Sequence, residues 1–585
     1  MSSLAEQLSA IVAEAFVAHG LDPAYGDVVP TERPEFGHFQ CNGALVAAKS
    51  STQSTREIAE MVAADLREQA AFREVAVAGP GFINLTVADE LLATCAEELI
   101  TDPRLGVPTI HPELLFLDYG GPNVAKPLHV GHLRSSIIGQ CLKHLYRFAG
   151  HTVIGDIHLG DWGTPMGMVI CGVRREQPNL PYFDPSFNGP YPSESPVTVD
   201  DLARIYPVQS TLCKSDPEAQ RQAQEATVEL QAGRPGYRAL WQHFVDVSVA
   251  AVRADFAQLG VDFEQWNGES TYHEVLPALV ARLESGGYVT VSDGAKVIYL
   301  EDTSDEPPLI LVKADGAYLY ATSDLATVDD RVKQGANRVI YVVDQRQDLH
   351  FKQVFQVAYQ TGLAPRKVAL QFYGFGTING TDGKPFKTRA GGIMRLSDLI
   401  EQVTTKAYER MVEGGLAADY PEEERQDIAK KVGVAALKFG DLSTNRSSNY
   451  VFDLDRFVSF DGRTGPYLIY TAVRIKSIFR KLDREVKAGE LSIDGLSLDI
   501  ERALILTAAR FPEVVEATLV SGTPHYLCEQ AFVLAQQFNR FYQECHILSE
   551  THPDIQNRWL ALSHLCLHEL ELVCQLLGIE IPERM

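Results

Sequence analysis

The sequence predicts an α/β fold: a strand–loop–helix domain preceded by a small α+β module and followed by an all-helical region. Three observations predict it. Residues 114–150 read as a short buried strand, an open loop and a long helix. A further apolar run at 339–343 reads as another buried strand, followed by a loop. From about Leu399 to the end the pattern is helical.

Composition bounds the answer. At 585 residues the chain is long enough for roughly four domain-sized units. Apolar residues at 45% and charged residues at 22% fit an ordinary globular protein. There is no apolar run of about 18 residues, so no membrane span is expected. The N-terminus reads as an acidic amphipathic helix rather than a signal peptide. Nine cysteines form no CxxC pair, which predicts reduced thiols, a cytoplasmic protein and no structural zinc. A net charge of −25 argues against a generally basic nucleic-acid binder but leaves room for a local basic surface.

Taken in order, residues 1–109 form a separate unit. Helices are expected near 4–19 and 55–69, then a strand-like segment at 79–87 carrying Phe82, Asn84 and Val87. Residues 103–112 read as a linker into a second unit, 110–440. There, Gly120-Gly121-Pro122-Asn123 ends the first strand, and Pro127 suits a first helical turn because its missing N–H costs nothing there. Leu128, Ile137, Ile138, Leu142, Leu145 and Tyr146 recur at helical spacing. His129 and His132 then share one face beside the free N–H groups and positive dipole end of the helix, a place for phosphate oxygens. Gly131 between them clears space for a flat ring, and Lys126 adds a charge. Residues 151–167 read as a second strand and a glycine-rich loop, with Gly160 and Gly163 as tight-turn residues. The loop lacks the GxGxxG spacing of a dinucleotide site. Residues 172–200, rich in Pro and polar residues, read as an exposed insertion, and helices follow near 217–231 and 236–258. Tyr320 and Asp324 lie four apart, on one face of a helix beginning near Thr322. Residues 441–585 form the helical unit, and the stretch 474–487 is basic, with six basic residues against two acidic.

The string GPNVAKPLHVGHLRSSIIG resembles the HIGH signature of class I aminoacyl-tRNA synthetases in its arginyl form. FGHFQCN and GPGFINL resemble the additional N-terminal domain of that family, LGDWG a segment lining its active site, and 453–475 the opening of its C-terminal helical domain. GKPFKTRAG stands where the class has KMSKS, so the literal second signature is absent.

The resemblance implies a Rossmann-like catalytic domain, an N-terminal domain touching the tRNA D-loop, and an α-helical anticodon-binding domain. It implies ATP-dependent attachment of arginine to tRNA(Arg), with Mg²⁺ accompanying ATP and no zinc. His129 and His132, with Lys126, Lys384 and Lys387, would be catalytic. Pro127, Gly131 and Thr388 would join them at ATP, with Arg389 a further candidate in the same loop. Asn123, Glu269, Tyr320, Asp324 and Gln347 match the family's arginine-binding set, and carboxylates suit a guanidinium's planar fork of donors. Gly121 stands where many members have Ser. Phe82 and Asn84 match the D-loop contacts, and Tyr542 is a stacking candidate in the anticodon domain. No contact is carried over to Arg558, because NRWLALSHL departs from the family wording. The expected protein is a cytoplasmic monomer with no membrane partner. A cysteinyl-type ligase would need a zinc-thiolate site, a non-catalytic paralogue would be expected to lose the signature, and a nicotinamide oxidoreductase would need the missing fingerprint.

Overall fold

The structure is a computed structural model and describes residues 3–31, 33–301, 307–380, 383–384, 386, 394–482 and 490–585. It divides into two compact units. One comprises Met1–Ile110, Ala407–Ser443 and Phe457–Met585, and the other His111–Lys406 and Thr444–Arg456.

The first unit begins with an antiparallel sheet of β1 (Val28–Pro30), β2 (Phe39–Cys41), β3 (Phe72–Ala78) and β4 (Phe82–Val87), in the order β1-β2-β4-β3. Helices Leu4–Ala18 and Thr55–Arg67 pack on it. Ser3 with Glu6, and Ser54 with Glu57, form reciprocal caps that satisfy the first free N–H groups of each helix. Alternation along β4 sends Ile83, Leu85 and Val87 fully into this core.

The two flanks that the sequence reading keeps apart fold into one unit. Helix Asp89–Thr101 packs on helices Asp499–Ala508 and Pro553–Leu577. Arg502 grips Asp89 with two bonds of 2.7 Å, and the Glu97 carboxylate accepts the Ile493 N–H at 2.8 Å. Leu105 and Val107, inside the expected linker, are buried. Helix Pro553–Leu577 is long and apolar enough to cross a membrane, but 72% of its most apolar stretch is buried inside this unit. Arg558 is structural: its Nε donates to the wholly buried Glu501 at 2.8 Å, and Trp559 donates to the same oxygen at 2.9 Å. Part of the basic stretch is neutralised internally. Lys476 pairs with Glu571 and Glu583, and Arg474 donates to Asn539 at 2.6 Å. Positions 483–489 lie outside the described residues.

The second unit is built on a parallel sheet of β5 (Leu114–Asp118), β6 (Thr152–Leu159), β7 (Gln265–Gly268), β11 (Arg338–Tyr341) and β12 (Ala369–Phe372). A small antiparallel sheet of β8 (Thr290–Ser292), β9 (Ala295–Ile298) and β10 (Leu309–Val312) lies between β7 and β11 in the chain. A short pair, β13 (Ile378–Asn379) with β14 (Tyr450–Val451), follows. The main sheet runs β12-β11-β5-β6-β7, the 3-2-1-4-5 order of a Rossmann-type half. Leu115, Phe116 and Leu117 are wholly buried, as a central strand covered on both faces requires. Strand order reverses between β5 and β11, whose carboxyl ends open a crevice there. The fully buried Arg331 bonds Asp118 at 2.6 Å and Asp156 at 2.7 Å, tying helix Tyr320–Lys333 to the end of β5 and the middle of β6.

Residues 172–200 are not simply exposed. Tyr182 and Val197 are buried with Met166, Val169, Leu240 and Phe244, and anchor the insertion. A helix not expected from the sequence, Val199–Ser215, follows it with Pro207 in its interior.

Candidate functional site

A cleft of about 470 Å³ lies at the switch point. Asp118, Tyr119, Gly120 and Gly121 line it from the end of β5, and Val343, Asp344 and Gln347 from beyond β11. His129, Gly131 and His132 close one side, and Phe375 to Ile378 with Phe386 another. Gly120 and Gly121 sit at φ +87° and +38°, where a side chain is strained. Ala125 does adopt φ +65°, held by a 3.1 Å bond from its N–H to Ser248 Oγ.

The two histidines differ from the sequence expectation in an informative way. The helix begins at Val130, so His129 is its N-cap and Pro127 lies before the helix rather than in its first turn. The residue that caps a helix N-terminus is typically extended, and His129 is, at φ −132° and ψ 170°. His129 Nδ1 accepts the Gly131 N–H at 3.0 Å, and His132 Nδ1 accepts the His129 N–H at 3.1 Å. This is a reciprocal cap built from two imidazoles. The N–H of Val130 goes to the Met394 carbonyl at 3.1 Å and that of His132 to the His129 carbonyl at 2.8 Å. The first N–H groups of this helix are therefore engaged, and the donors left to face the cleft are side chains.

Because each Nδ1 faces a backbone donor, the proton of each neutral ring sits on Nε2. Both rings stay neutral. Burial, reinforced by Lys126, holds His129 below the usual histidine range. Burial, His129 and Lys126 together push His132 down to about 3. The rings lie 4.0 Å apart, centroid to centroid. The site presents two fixed N–H donors rather than two cations. Lys126 rests its ammonium over the Tyr206 ring at 4.6 Å. With Pro127 it lines a neighbouring cavity rather than the cleft.

Of the GKPFKTRAG loop, Lys384 is exposed, Phe386 enters the cleft, and Lys387, Thr388 and Arg389 lie outside the described residues. The C-terminal flank of the loop meets the histidine segment, where Leu396 N–H bonds the Leu128 carbonyl at 3.0 Å; on the other flank Phe386 N–H bonds the Ile378 carbonyl at 3.1 Å.

A second group of side chains gathers beyond β6 and β7. Glu269 opens the short helix Glu269–His273, and its carboxyl is pushed up to about 8 by burial, then by Asp161 and Asp324. Neither of its oxygens makes a hydrogen bond or ion pair among the described residues. Tyr320 opens helix Tyr320–Lys333, and Asp324 lies one turn on, bonded to His350 Nε2 at 2.5 Å. Asn123 bridges to Gly160, whose missing side chain is explained by Asn123: a Cβ there would lie 2.3 Å from Asn123 Oδ1. Only Gly163, at φ +88°, is a turn glycine of the expected kind. Gln347 and Gly121 face the cleft, whereas Glu269, Tyr320 and Asp324 form an adjoining acidic group. Sequence reasoning missed His350 and gave Asp161 no role, although Asp161 stands in the LGDWG string it noted.

In the first unit, Phe82 is half-buried at the start of β4, and Asn84 is 4% exposed, accepting from Gln40 Nε2 at 2.8 Å. Tyr542 is half-buried, stacked on Phe538, with the Arg474 guanidinium 5.5 Å from its ring.

Comparison with known proteins supplies the remaining findings. Residues 95–454 match the class I tRNA synthetase (R) catalytic domain, 468–585 the DALR anticodon binding domain, and 2–87 the arginyl tRNA synthetase N-terminal domain. The chain is 47% identical over 590 residues to an arginine–tRNA ligase of Alkaliphilus oremlandii, covering 100% of both. It is 42% identical to that of Francisella tularensis subsp. novicida, covering 99% of both. Among solved structures it resembles the arginyl-tRNA synthetase of Plasmodium falciparum, at TM-score 0.82 and 25% identity with both chains fully covered. The fold also resembles that of the Thermus thermophilus enzyme, at TM-score 0.78 and 21% identity over 100% of both chains.

Proposed function

Because the chain belongs to the class I arginyl-tRNA synthetase family and ligates arginine to tRNA, we propose that the switch-point cleft takes ATP and the adjoining acidic group takes arginine. The arginine carboxylate attacks the α-phosphate, forming a C–O–P bond as pyrophosphate leaves. A terminal hydroxyl of tRNA then attacks the aminoacyl carbonyl and AMP leaves. No protein nucleophile is needed, so catalysis rests on placement and charge. His129 and His132 donate through Nε2–H to the oxygens that gain charge at phosphorus. Donors fixed in place by the backbone lose little on reorganisation, which is what favours the transition state over ATP itself. Lys384 takes the outer phosphates, a role that the resemblance also gives to Lys387 and Thr388.

Asp118 and Asp344, the carboxylates that line the cleft, are engaged by Arg331 and Arg346, so Mg²⁺ accompanying ATP would be held mainly by the phosphates and would supply charge neutralisation there. Glu269 and Asp324 pair with the guanidinium, and Asn123, Tyr320 and Gln347 complete the arginine site. Phe82, Asn84 and Tyr542 contact tRNA. All nine cysteines are buried, and we read the protein as a cytoplasmic monomer.

The observation that carries this reading is the paired histidine cap at the switch point beside an acidic group with no cation of its own at Glu269. Amino-acid-dependent exchange of pyrophosphate into ATP, with and without tRNA, tests it. Exchange should require arginine, and no exchange with arginine and tRNA both present would refute it.

A further inference from the structure

We propose that Asp161 is a positioning residue for arginine selection: the chain at 268–270 wraps its carboxylate, and through that wrap it places Glu269. The inference rests on Glu269 reading the guanidinium. Asp161 follows β6 directly and is 3% exposed. Its own backbone is fixed by Trp241, whose indole N–H donates to the Asp161 carbonyl at 2.7 Å. One carboxylate oxygen accepts the Ser270 N–H at 3.0 Å, and the other accepts the Ser270 hydroxyl at 2.5 Å. On the other side, position 268 must be glycine. A Cβ there would lie 2.4 Å from the Asp161 carboxylate carbon and both oxygens. Glu269 thus stands between two residues that are each fitted to one carboxylate.

The short helix Glu269–His273 cannot hold this geometry by itself, since a single turn gains little from its own hydrogen bonds. Asp161 acts as an external cap for it, doing from a distant strand what an N-cap side chain does locally. The charge matters as well as the shape. Burial raises the Asp161 carboxyl above the usual carboxylate range, and beside Glu269 it takes hydroxyl and amide donors from Ser270 but forms no ion pair with a cation among the described residues. Burial, Asp161 and Asp324 all raise the Glu269 carboxyl, so its ionised form needs a cation seated against it. A permanent cation satisfies it and a neutral isostere does not. Citrulline, which carries a urea in place of the guanidinium, is that isostere.

The test is pyrophosphate exchange by the full chain with tRNA present, comparing KM for arginine, KM for ATP and the arginine-to-citrulline preference. Asp161→Ala should raise KM for arginine at least tenfold and move KM for ATP less than twofold. Asp161→Asn keeps an acceptor for the Ser270 N–H and a partner for its hydroxyl. It should recover most of the KM loss yet narrow the arginine-to-citrulline preference severalfold. Should Asp161→Ala fail to fold, Ser270→Ala removes one of the two bonds and should raise KM for arginine a fewfold. A KM for arginine within twofold of wild type in Asp161→Ala, or equal losses for arginine and ATP, would overturn the proposal. Glu269→Gln is run in parallel. If that variant leaves KM for arginine unchanged, the premise about Glu269 has failed. If it raises that KM while the Asp161 variants do not, the role given to Asp161 has failed.

Discussion

Arginine binding should expel a proton from the site near neutral pH. The Glu269 carboxyl, with burial first and then Asp161 and Asp324 acting on it, is pushed up to about 8 in the empty site. A guanidinium requires the ionised form. The pKa is raised in the free state and falls once the cation is seated, so arginine affinity must increase with pH and level off above about 8. At pH 7 a group titrating near 8 is about nine-tenths protonated, so binding should release about 0.9 proton and cost roughly tenfold in apparent affinity. From about pH 6 to 7 the dissociation constant should fall nearly tenfold. His132, pushed down to about 3, adds no step in this window, and burial holds His129 below the ordinary histidine range. Isothermal titration with tRNA present, in two buffers of different ionisation enthalpy, measures the proton count directly. Glu269→Gln should bring the count close to zero and flatten the profile while weakening binding. A count near zero in the wild type, or an unchanged count in Glu269→Gln, would refute the assignment.

Replacing His129 or His132 by Ala should lower kcat for arginine activation by about 10²–10³, the effect of losing one fixed transition-state donor, with a smaller change in KM for arginine; equal wild-type rates in both variants would remove the histidines from the mechanism. In the helical bundle, the wholly buried Glu569 is pushed up to about 8 by burial, against 4.5 in a free chain, although Gln530 donates to it at 2.7 Å. The folded state therefore holds an extra proton between those two values, so stability is highest below about pH 4.5 as far as this group is concerned and is lost as pH rises toward 8. Glu569→Gln should remove that loss and stabilise the protein by roughly 2–4 kcal/mol at pH 7.5, read as a Tm that rises and becomes less pH-dependent; a lowered Tm at that pH would contradict it. Phe82→Ala should weaken tRNA binding by about 1–3 kcal/mol if the ring stacks on a base. Gln40→Ala should follow it in the same direction, because Gln40 holds the Asn84 oxygen at 2.8 Å, and filter binding that leaves Gln40→Ala unchanged would separate Asn84 from the contact.

The elements that the sequence revealed are those whose pattern is local. The buried strand Leu114–Asp118 and the helices Leu4–Ala18 and Pro217–Gln231 each carry their periodicity or caps within a few residues. Helix Val199–Ser215 was hidden by Pro207, which reads as a helix breaker and is tolerated because the packing of Leu202, Ile205 and Gln209 holds both sides of it. β3 was hidden because its burial does not alternate cleanly. The first helical turn at the histidines was misplaced because Pro127 is a start signal, whereas the actual cap is an imidazole, a residue type rarely found in that role. For the site, residue types were legible and their partners were not. The engagement of the helix N–H groups by His129 and by the Met394 carbonyl depends on a segment more than 250 residues away in the chain, and no local spacing encodes it. The same holds for Asp161 and Ser270, 109 residues apart. The union of the first 110 residues with the C-terminal helices was likewise invisible, since it rests on Asp89 meeting Arg502, single charges that look like any solvated pair.

The buried triad of Arg331, Asp118 and Asp156 explains how the two halves of the second unit's chemistry keep their spacing. Asp118 and Asp156 face each other across neighbouring strands, and Arg331 reaches both from a helix that also carries Asp324, seven residues earlier. Two carboxylates against one guanidinium is an expensive arrangement to bury, and an apolar trio of the same volume would hold the fold as well or better. What an apolar trio could not do is fix the helix in rotation and in translation, because packing tolerates small slides that a bond of 2.6 Å does not. Asp118 is the last residue of β5, next to the Tyr119-Gly120-Gly121 wall of the cleft. One end of the ion cluster therefore sets the edge of the cleft, and the other sets the helix that presents Asp324. With ATP and arginine placed as proposed, the distance between the attacking carboxylate and the α-phosphate is inherited from that cluster, and a displacement of about 1 Å is enough to cost such a reaction two orders of magnitude.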